Sequence, residues 1–541
     1  RIASGGMPVI RNPILKGFNP DPSICRTGND YWIATSTFEW YPGVQIHHSR
    51  DLVNWRLVAR PLDRASQLDL RGEPDSCGVW APCLSHADGR FWLIYTDVKR
   101  YDGNFKDAHN YLVTAEEITG PWSDPIYMNS SGFDPSLFHD DDGRKWFVNQ
   151  QWRHLTDSVG GKPKLSAFDG ILLQEYDPVA RRLTGPISNI FPGSPLGLVE
   201  GPHLFRRDDF YYLTTAEGGT GYHHAVTMAR ARTIRGPYEL HPATHLLTSK
   251  DAPDAPLQRA GHGQLVETPD GEFYHTLLCG RPLAGVRRCP LGRETAIQKV
   301  VWKDDGWLYL AQGGLVPAVE VEAPEGAAEP EGDAPVEYRF DGPSLPADFQ
   351  WLRTPYPERL FELTGETLRL FGRESVGSWF EQALVARRQQ HFRYRAETRL
   401  VAFAPDTYQQ AAGLTTYYSR SKFHFLAVSF DAAVGRTLSI MSCPGDWPDG
   451  RLSFPLSPPV PLPDGPVELA VEVDHATQRF FWRAGGEWVP AGPALDASLI
   501  SDEAGRGEHG SFTGAFVGML AFDTSGRAAT ADFSSFAYRP G

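Results

Sequence analysis

Helix-period stretches are nearly absent from this 541-residue sequence, and so are the signatures of most common chemistries. No run of eighteen or more apolar residues occurs, so nothing reads as a membrane-spanning helix. The six cysteines (Cys25, Cys77, Cys83, Cys279, Cys289 and Cys443) include no CxxC pair. They read as reduced, buried thiols rather than a metal site or a disulfide framework. Basic residues are in the minority: 52 Lys and Arg against 66 Asp and Glu leave a net charge of -14. That sign argues against nucleic acid as a partner, since phosphate binding needs a basic footprint. There is no GxSxG elbow, no GxGxxG after a strand, no P-loop and no HExxH. Arg1-Ile2-Ala3-Ser4-Gly5-Gly6 lacks the apolar core of a secretory signal. It reads as a cloning remnant ahead of Met7, and such a start implies a cytoplasmic protein.

Aromatic residues are plentiful, at 12% with 15 Trp, which suits strands and sugar-stacking surfaces. They recur with a period. Aromatic strands begin at Tyr31, Phe91, Lys145, Phe210 and Glu272, a repeat of roughly 55 to 65 residues that four strands and a loop would fill. About ten residues before each lies a second motif: Asp21-Pro22-Ser23, Trp80-Ala81-Pro82, Asp134-Pro135-Ser136, Glu200-Gly201-Pro202 and His262-Gly263-Gln264. Turn pairs such as Asp88-Gly89, Asp142-Gly143 and Asp270-Gly271 punctuate the strands. The expected fold is all-β. Residues 7–316 form a five-bladed β-propeller, residues 317–335 an acidic, Pro-rich linker, and residues 336–541 a β-sandwich of alternating apolar and polar strands.

Within one residue of registry, the same place in each repeat holds Asp21, Trp80, Asp134, Glu200 and His262. If the blades surround an axis, three acids, a tryptophan and a histidine converge. Glycosidic hydrolysis needs such a set: one carboxyl protonated, to give its proton to the leaving oxygen, and one ionised, to activate water or attack. A third acid holds the first one's pKa high, because a nearby like charge disfavours ionisation. Glu200, longer than an Asp, is the better candidate for reaching a leaving-group oxygen. Trp80 and Trp152 suit stacking on a sugar face, and Phe38 ends the first aromatic strand. His262 could bond a sugar, hold a central water or bind a cation such as Ca²⁺; no partner at metal spacing supports the last. Arg293 could donate to sugar hydroxyls or to a carboxylate. The pairs His47-His48 and His223-His224 read as structural strand residues with opposite facing.

The runs Asn19-Pro20-Asp21-Pro22-Ser23, Ser36-Thr37-Phe38-Glu39-Trp40, Gly78-Val79-Trp80-Ala81-Pro82, Ser131-Gly132-Phe133-Asp134-Pro135-Ser136 and Glu200-Gly201-Pro202-His203 resemble glycoside hydrolase family 43. With Leu291-Gly292-Arg293-Glu294-Thr295-Ala296 and Gly510-Ser511-Phe512-Thr513-Gly514-Ala515-Phe516, the resemblance narrows to the two-domain β-xylosidases of that family. It implies an inverting mechanism, with Asp21 as general base, Glu200 as general acid and Asp134 as the residue that orients Glu200 and raises its pKa. Phe38, Trp80, Trp152, His262 and Arg293 would shape the pocket for a terminal xylose. Phe512, on a loop of a concanavalin-like sandwich, would close that pocket and favour exo-action on xylo-oligosaccharides. No cofactor is required by this scheme. The rivals are an α-L-arabinofuranosidase, an enzyme with both activities, and a non-catalytic sugar-binding propeller. Self-association into a homo-oligomer is left open.

Overall fold

The computed structural model describes residues 6–100, 105–155, 158–159, 162–163, 166–445, 450–505 and 510–541. Most of the N-terminal segment read as a cloning remnant, Arg1 to Gly5, lies outside the described residues. Helix is confined among the described residues to two short 3-10 turns, Pro357–Arg359 and Ala497–Leu499. None is long and apolar enough to cross a membrane.

Five antiparallel sheets follow one another along the chain, each built from strands of one continuous stretch of sequence. The first blade is Ser23–Thr27, Asp30–Thr35, Gln45–Ser49 and Arg56–Ala59; the second is Gly78–Ala87, Arg90–Arg100, Asp107–Ala115 and Ile126–Asn129. The third is Ser136–His139, Lys145–Trp152, Phe168–Asp177 and Arg182–Phe191. The fourth is Glu200–Arg207, Phe210–Glu217, Ala225–Ala231 and Glu239–Thr248. The fifth opens with Gln258–Gly261 and Leu265–Glu267 and adds Phe273–Gly280, Glu294–Trp302 and Leu308–Leu310. The aromatic strands of the repeat are therefore the second strand of the first four blades and, in the fifth, the strand with which both opening segments pair, and their side chains pack between neighbouring sheets. The Asp88-Gly89 hairpin turn has φ of 55° and 74°, the twist that a two-residue connection between such strands prefers.

The motif position is a point of backbone strain repeated around the axis. Asp21 (57°), Ala81 (28°), Asp134 (54°), Gly201 (60°) and His262 (51°) all have positive φ. A left-handed residue at the start of the innermost strand, just ahead of it in blades one and three and at a break in its pairing in blades two and four, turns the chain sharply where the blades meet. The expected register is thereby resolved into two adjacent places. Asp21, Asp134 and His262 hold the left-handed place itself, whereas Trp80 and Glu200 precede it, level with Phe133 and Gly261. Two residues further on, polar side chains stitch the blades. Ser23 Oγ donates to Gln264 Oε1 at 2.8 Å and accepts the Leu84 N–H at 2.9 Å, and Ser136 Oγ donates to the Pro202 carbonyl at 2.7 Å.

Residues 317–335, expected as a linker, supply a strand, Glu320–Glu322, antiparallel to Val9–Arg11. Beyond them two eight-stranded sheets face each other over an apolar core that includes Phe349, Leu370, Leu414, Val471 and Phe536. One sheet takes an edge strand from the first blade: Trp40–Tyr41 pairs with Gln350–Leu352. Trp40 stacks on Phe516 with ring centroids 3.7 Å apart. A single apolar cluster then runs from the sandwich through Phe516 and Phe18 to Phe38, Trp80 and Phe133, joining the domains beside the propeller axis.

Candidate active site

One cavity of about 240 Å³ opens at the axis. All nine residues singled out in the sequence line it: Asp21, Phe38, Trp80, Asp134, Trp152, Glu200, His262, Arg293 and Phe512. It lies just under the roughly 300–1,000 Å³ of ordinary small-molecule sites, the scale of a sugar ring and part of a neighbour.

Asp21 is 6% exposed and fully engaged. Its Oδ2 accepts from Ser36 Oγ at 2.6 Å, and its Oδ1 accepts from His262 Nδ1 at 3.1 Å with Arg293 Nη1 at 3.5 Å. Burial by itself would raise its pKa. The Arg293 charge and the His262 and Ser36 hydrogen bonds outweigh burial and hold the carboxyl well below the usual range. Asp21 is therefore a carboxylate at any working pH. Asp134, on the next-but-one blade, accepts the Gly201 N–H on Oδ2 at 2.9 Å, which ties it to the residue after Glu200. Burial and the Asp21 charge raise it to about 6, against the pull of His262, that N–H and Arg293.

Glu200 goes the other way from Asp21. Burial, then the Asp134 and Asp21 charges, push it up to about 8 despite His262 and Arg293. Near pH 7 it holds a proton while the other two carboxyls do not. Burial would lower the His262 pKa, but the hydrogen bond and charge of Asp21, with Asp134 and Glu200 behind, raise it to about 9. Two anions thus face two cations, His262 and Arg293, around one neutral acid. Among the described residues, no group of three or more His, Cys, Asp or Glu side chains could hold a metal ion.

The wall is aromatic. Trp80 meets Phe133 and Phe512 edge-on at 5.3 and 5.8 Å, and its Nε1 donates to the Ser76 carbonyl at 3.0 Å. Trp152 packs on Phe168 at 5.6 Å, with Lys106 Nζ 3.9 Å from its ring centre. Phe512 reaches in from the sandwich: its N–H donates to Ser76 Oγ and its carbonyl accepts from Arg293 Nη2, each at 3.0 Å. Arg293 is 3% exposed, the reverse of a surface arginine.

Two readings from the sequence change. His223 and His224 lie in a turn ahead of Ala225–Ala231, not within a strand, and His224 lines the cavity. It is 1% exposed, neither ring nitrogen has a well-directed partner, and burial followed by the His262 charge lowers its pKa to about 3. It is a neutral imidazole in the cavity wall. A Cβ on Gly261 would come within 2.2 Å of its ring, so the glycine in blade five makes room for it. The sequence reading also missed Lys106, Phe133, Phe168, Leu198 and Thr220 in the lining. Phe133 was recoverable, since it stands level with Trp80 and Glu200 in the repeat. The others come from loops and outer strands that carry no repeat signal.

Comparison with known proteins agrees with this geometry. The sequence model of "Glycosyl hydrolases family 43" matches residues 10–308, and that of "Beta xylosidase C-terminal Concanavalin A-like domain" matches residues 337–539. The chain is 59% identical over 538 residues to "Xylosidase/arabinosidase 43B" of Humicola insolens, covering 99% of this chain and 98% of that one. It is 49% identical to "Beta-xylosidase" of Bacillus subtilis (strain 168), covering 98% and 99%. The crystal structure of xylan beta-1,4-xylosidase from Bacillus halodurans C-125 superposes with a TM-score of 0.93 at 50% identity, covering 98% of this chain and all of that one. With a propeller and a concanavalin-like sandwich that both match, and three carboxyls from three blades in one cavity, the chain belongs to glycosyl hydrolase family 43.

Proposed function

We propose that the protein is an exo-acting, inverting β-1,4-xylosidase that releases xylose from the non-reducing ends of xylo-oligosaccharides. The observation that carries this reading is the split in protonation within one cavity: Asp21 held as a carboxylate and Glu200 held as an acid. Asp21 takes a proton from a water, the oxygen of which attacks the anomeric carbon from the face opposite the leaving group. Glu200 gives its proton to the departing glycosidic oxygen. Asp134 keeps Glu200 protonated near neutrality through its charge and fixes the backbone beside it through the Gly201 N–H. His262 and Arg293 keep Asp21 ionised inside the buried pocket. Phe512 supports exo-action, because it lines the small cavity from the second domain and limits how much chain can enter.

Hydrolysis of xylobiose followed by NMR tests the reading: the first product formed should be α-xylose, the inverted anomer. β-Xylose as the first product, or near-normal turnover by Asp21→Asn or Glu200→Gln, refutes it. A second reading, activity on α-L-arabinofuranosides as well, draws support from the 59% identical relative named for both activities. Rates on the two nitrophenyl glycosides separate the alternatives. Unchanged xylobiose turnover with EDTA present supports a reaction without a resident cation.

A further inference from the structure

A second buried arginine sits close behind the site. Arg259 is 4% exposed and lies three residues before His262, in the strand Gln258–Gly261 that delivers that histidine to the axis. Its Nη1 donates to Asp502 Oδ2 at 2.7 Å and approaches Glu503 Oε1 at 3.2 Å, and its Nε donates to the Thr220 carbonyl in the cavity wall at 2.9 Å. Asp502 and Glu503 belong to the sandwich. The other Asp502 oxygen accepts from the Tyr418 hydroxyl, and that hydroxyl oxygen accepts the Thr513 N–H at 3.0 Å. Thr513 follows Phe512, the carbonyl of which holds Arg293 Nη2 at 3.0 Å. Arg293 and His262 in turn both face Asp21 Oδ1, at 3.5 and 3.1 Å.

These contacts close a ring: Asp21, Arg293, Phe512–Thr513, Tyr418, Asp502, Arg259 and, along the strand, His262. Every member is buried or half-buried. The segment that bears the sandwich side of the ring is itself pinned by the Lys422 ammonium. Its Nζ donates to the Ser501 and Ala504 carbonyls at 2.7 and 2.8 Å and to Ser511 Oγ at 3.0 Å.

We propose that Tyr418 and Asp502 are positioning residues for the general base: through this ring the second domain sets the placement of both cations that face Asp21, and so governs the chemical step as well as closing the mouth. The inference rests on the reading of Asp21 as the base. Arg293 shows why the placement is sensitive. Its Nε has no partner, so the guanidinium is fixed at its two ends, by Asp21 on one side and the Phe512 carbonyl on the other. If the Thr513 N–H loses its hold on Tyr418, the Phe512 carbonyl of the same planar peptide moves and the guanidinium can turn from Asp21. Coulomb attraction inside a low-dielectric pocket falls quickly with such a turn. Ser36, the remaining direct partner of Asp21, and the nearby Asp134 and Glu200 all lie in the propeller; Arg293 and, through Arg259, His262 are the groups that the ring ties to the sandwich.

The test uses the full-length protein, with Tyr418→Phe, Asp502→Asn and Asp21→Asn compared on 4-nitrophenyl β-xyloside, a substrate with a good leaving group that demands little of Glu200. Tyr418→Phe, which removes one oxygen and keeps the ring, is expected to lower kcat about tenfold with KM within about twofold, and Asp502→Asn at least as far. A variant whose thermal midpoint is unchanged and whose kcat is normal overturns the proposal, as does a rise in KM alone, which would mean mouth closure only. Loss of fold in both variants also overturns it, because the ring would then hold the domains together rather than the base in place. Near-normal activity of Asp21→Asn would instead defeat the underlying reading of the base. An inactive Asp21→Asn beside a fully active Tyr418→Phe defeats the ring proposal alone.

Discussion

Asp134→Asn isolates the electrostatic job of the third carboxyl. The substitution keeps an oxygen that can accept the Gly201 N–H, now at 2.9 Å, and removes the negative charge. With Glu200 at about 8, roughly nine in ten of its carboxyls hold a proton at pH 7. Burial is the larger cause of that rise and stays in the variant; the Asp134 charge is the next, and a single neighbouring charge shifts a carboxyl by about 1–3 pKa units. Losing about two units leaves roughly one Glu200 in ten protonated at pH 7, a loss of about tenfold in the acid form or ~1.4 kcal/mol of barrier. At pH 5 the acid is protonated in both proteins and this part of the deficit vanishes. The measurement is kcat/KM on xylobiose from pH 4.5 to 9, where the basic limb should move down by one to two pH units. A basic limb that stays in place, or a deficit equal at pH 5 and pH 7, refutes the assignment of Asp134 as the group that keeps Glu200 protonated.

Gly201→Ala should abolish most activity with a modest change in thermal midpoint: the new Cβ would sit 2.7 Å from His262 Cδ2, at a φ of 60°, and drive the imidazolium away from Asp21. A variant that retains half its kcat would contradict that packing. His224→Ala removes no well-directed hydrogen bond, so it should raise KM for xylobiose several-fold with a smaller effect on the denaturant midpoint; unaltered KM would remove His224 from the sugar site. Stability should peak near pH 6.5. The buried or half-buried histidines His47, His139, His203, His224, His245 and His275 have folded pKa values lowered to about 3 or 4, so the unfolded chain binds more protons below its own value of roughly 6.5, and stability rises with pH up to that point. His262 at about 9 and Glu200 at about 8 bind protons more tightly when folded, and their contribution is lost as pH rises through those values. Urea midpoints at pH 4.5, 6.5 and 8.5 check this, and a midpoint that still climbs at pH 8.5 would oppose it.

The repeat was legible because its chemistry is carried by local chain geometry. A left-handed residue near the start of the innermost strand recurs at Asp21, Ala81, Asp134, Gly201 and His262, and the Pro or Gly that follows each is visible in the sequence. What the repeat concealed was the offset of one residue that sets Trp80 and Glu200 apart from the others. His224 was read as a strand residue because a turn of Gly221-Tyr222-His223-His224 carries no marker of what it faces. Its role depends on Gly261, which stands 37 positions later and leaves space for the ring. The two domains also share more than a linker suggests: Trp40–Tyr41, inside the first repeat, is a strand of the sandwich.

The sequence by itself determined the all-β architecture, the five blades and the cast of residues at the axis, because hydrophobic alternation, turn residues and a periodic motif act over short stretches of chain. The tertiary structure decided which acid keeps its proton. Asp21 and Glu200 differ in charge state through neighbours drawn from other blades: Arg293 and His262 beside one, Asp134 beside the other. Coulomb interactions and burial depend on distance in space, which residue spacing does not encode. The same holds for the sandwich, the Tyr418, Asp502 and Phe512 of which reach Arg293 and Arg259 beside the cavity through contacts that span much of the chain.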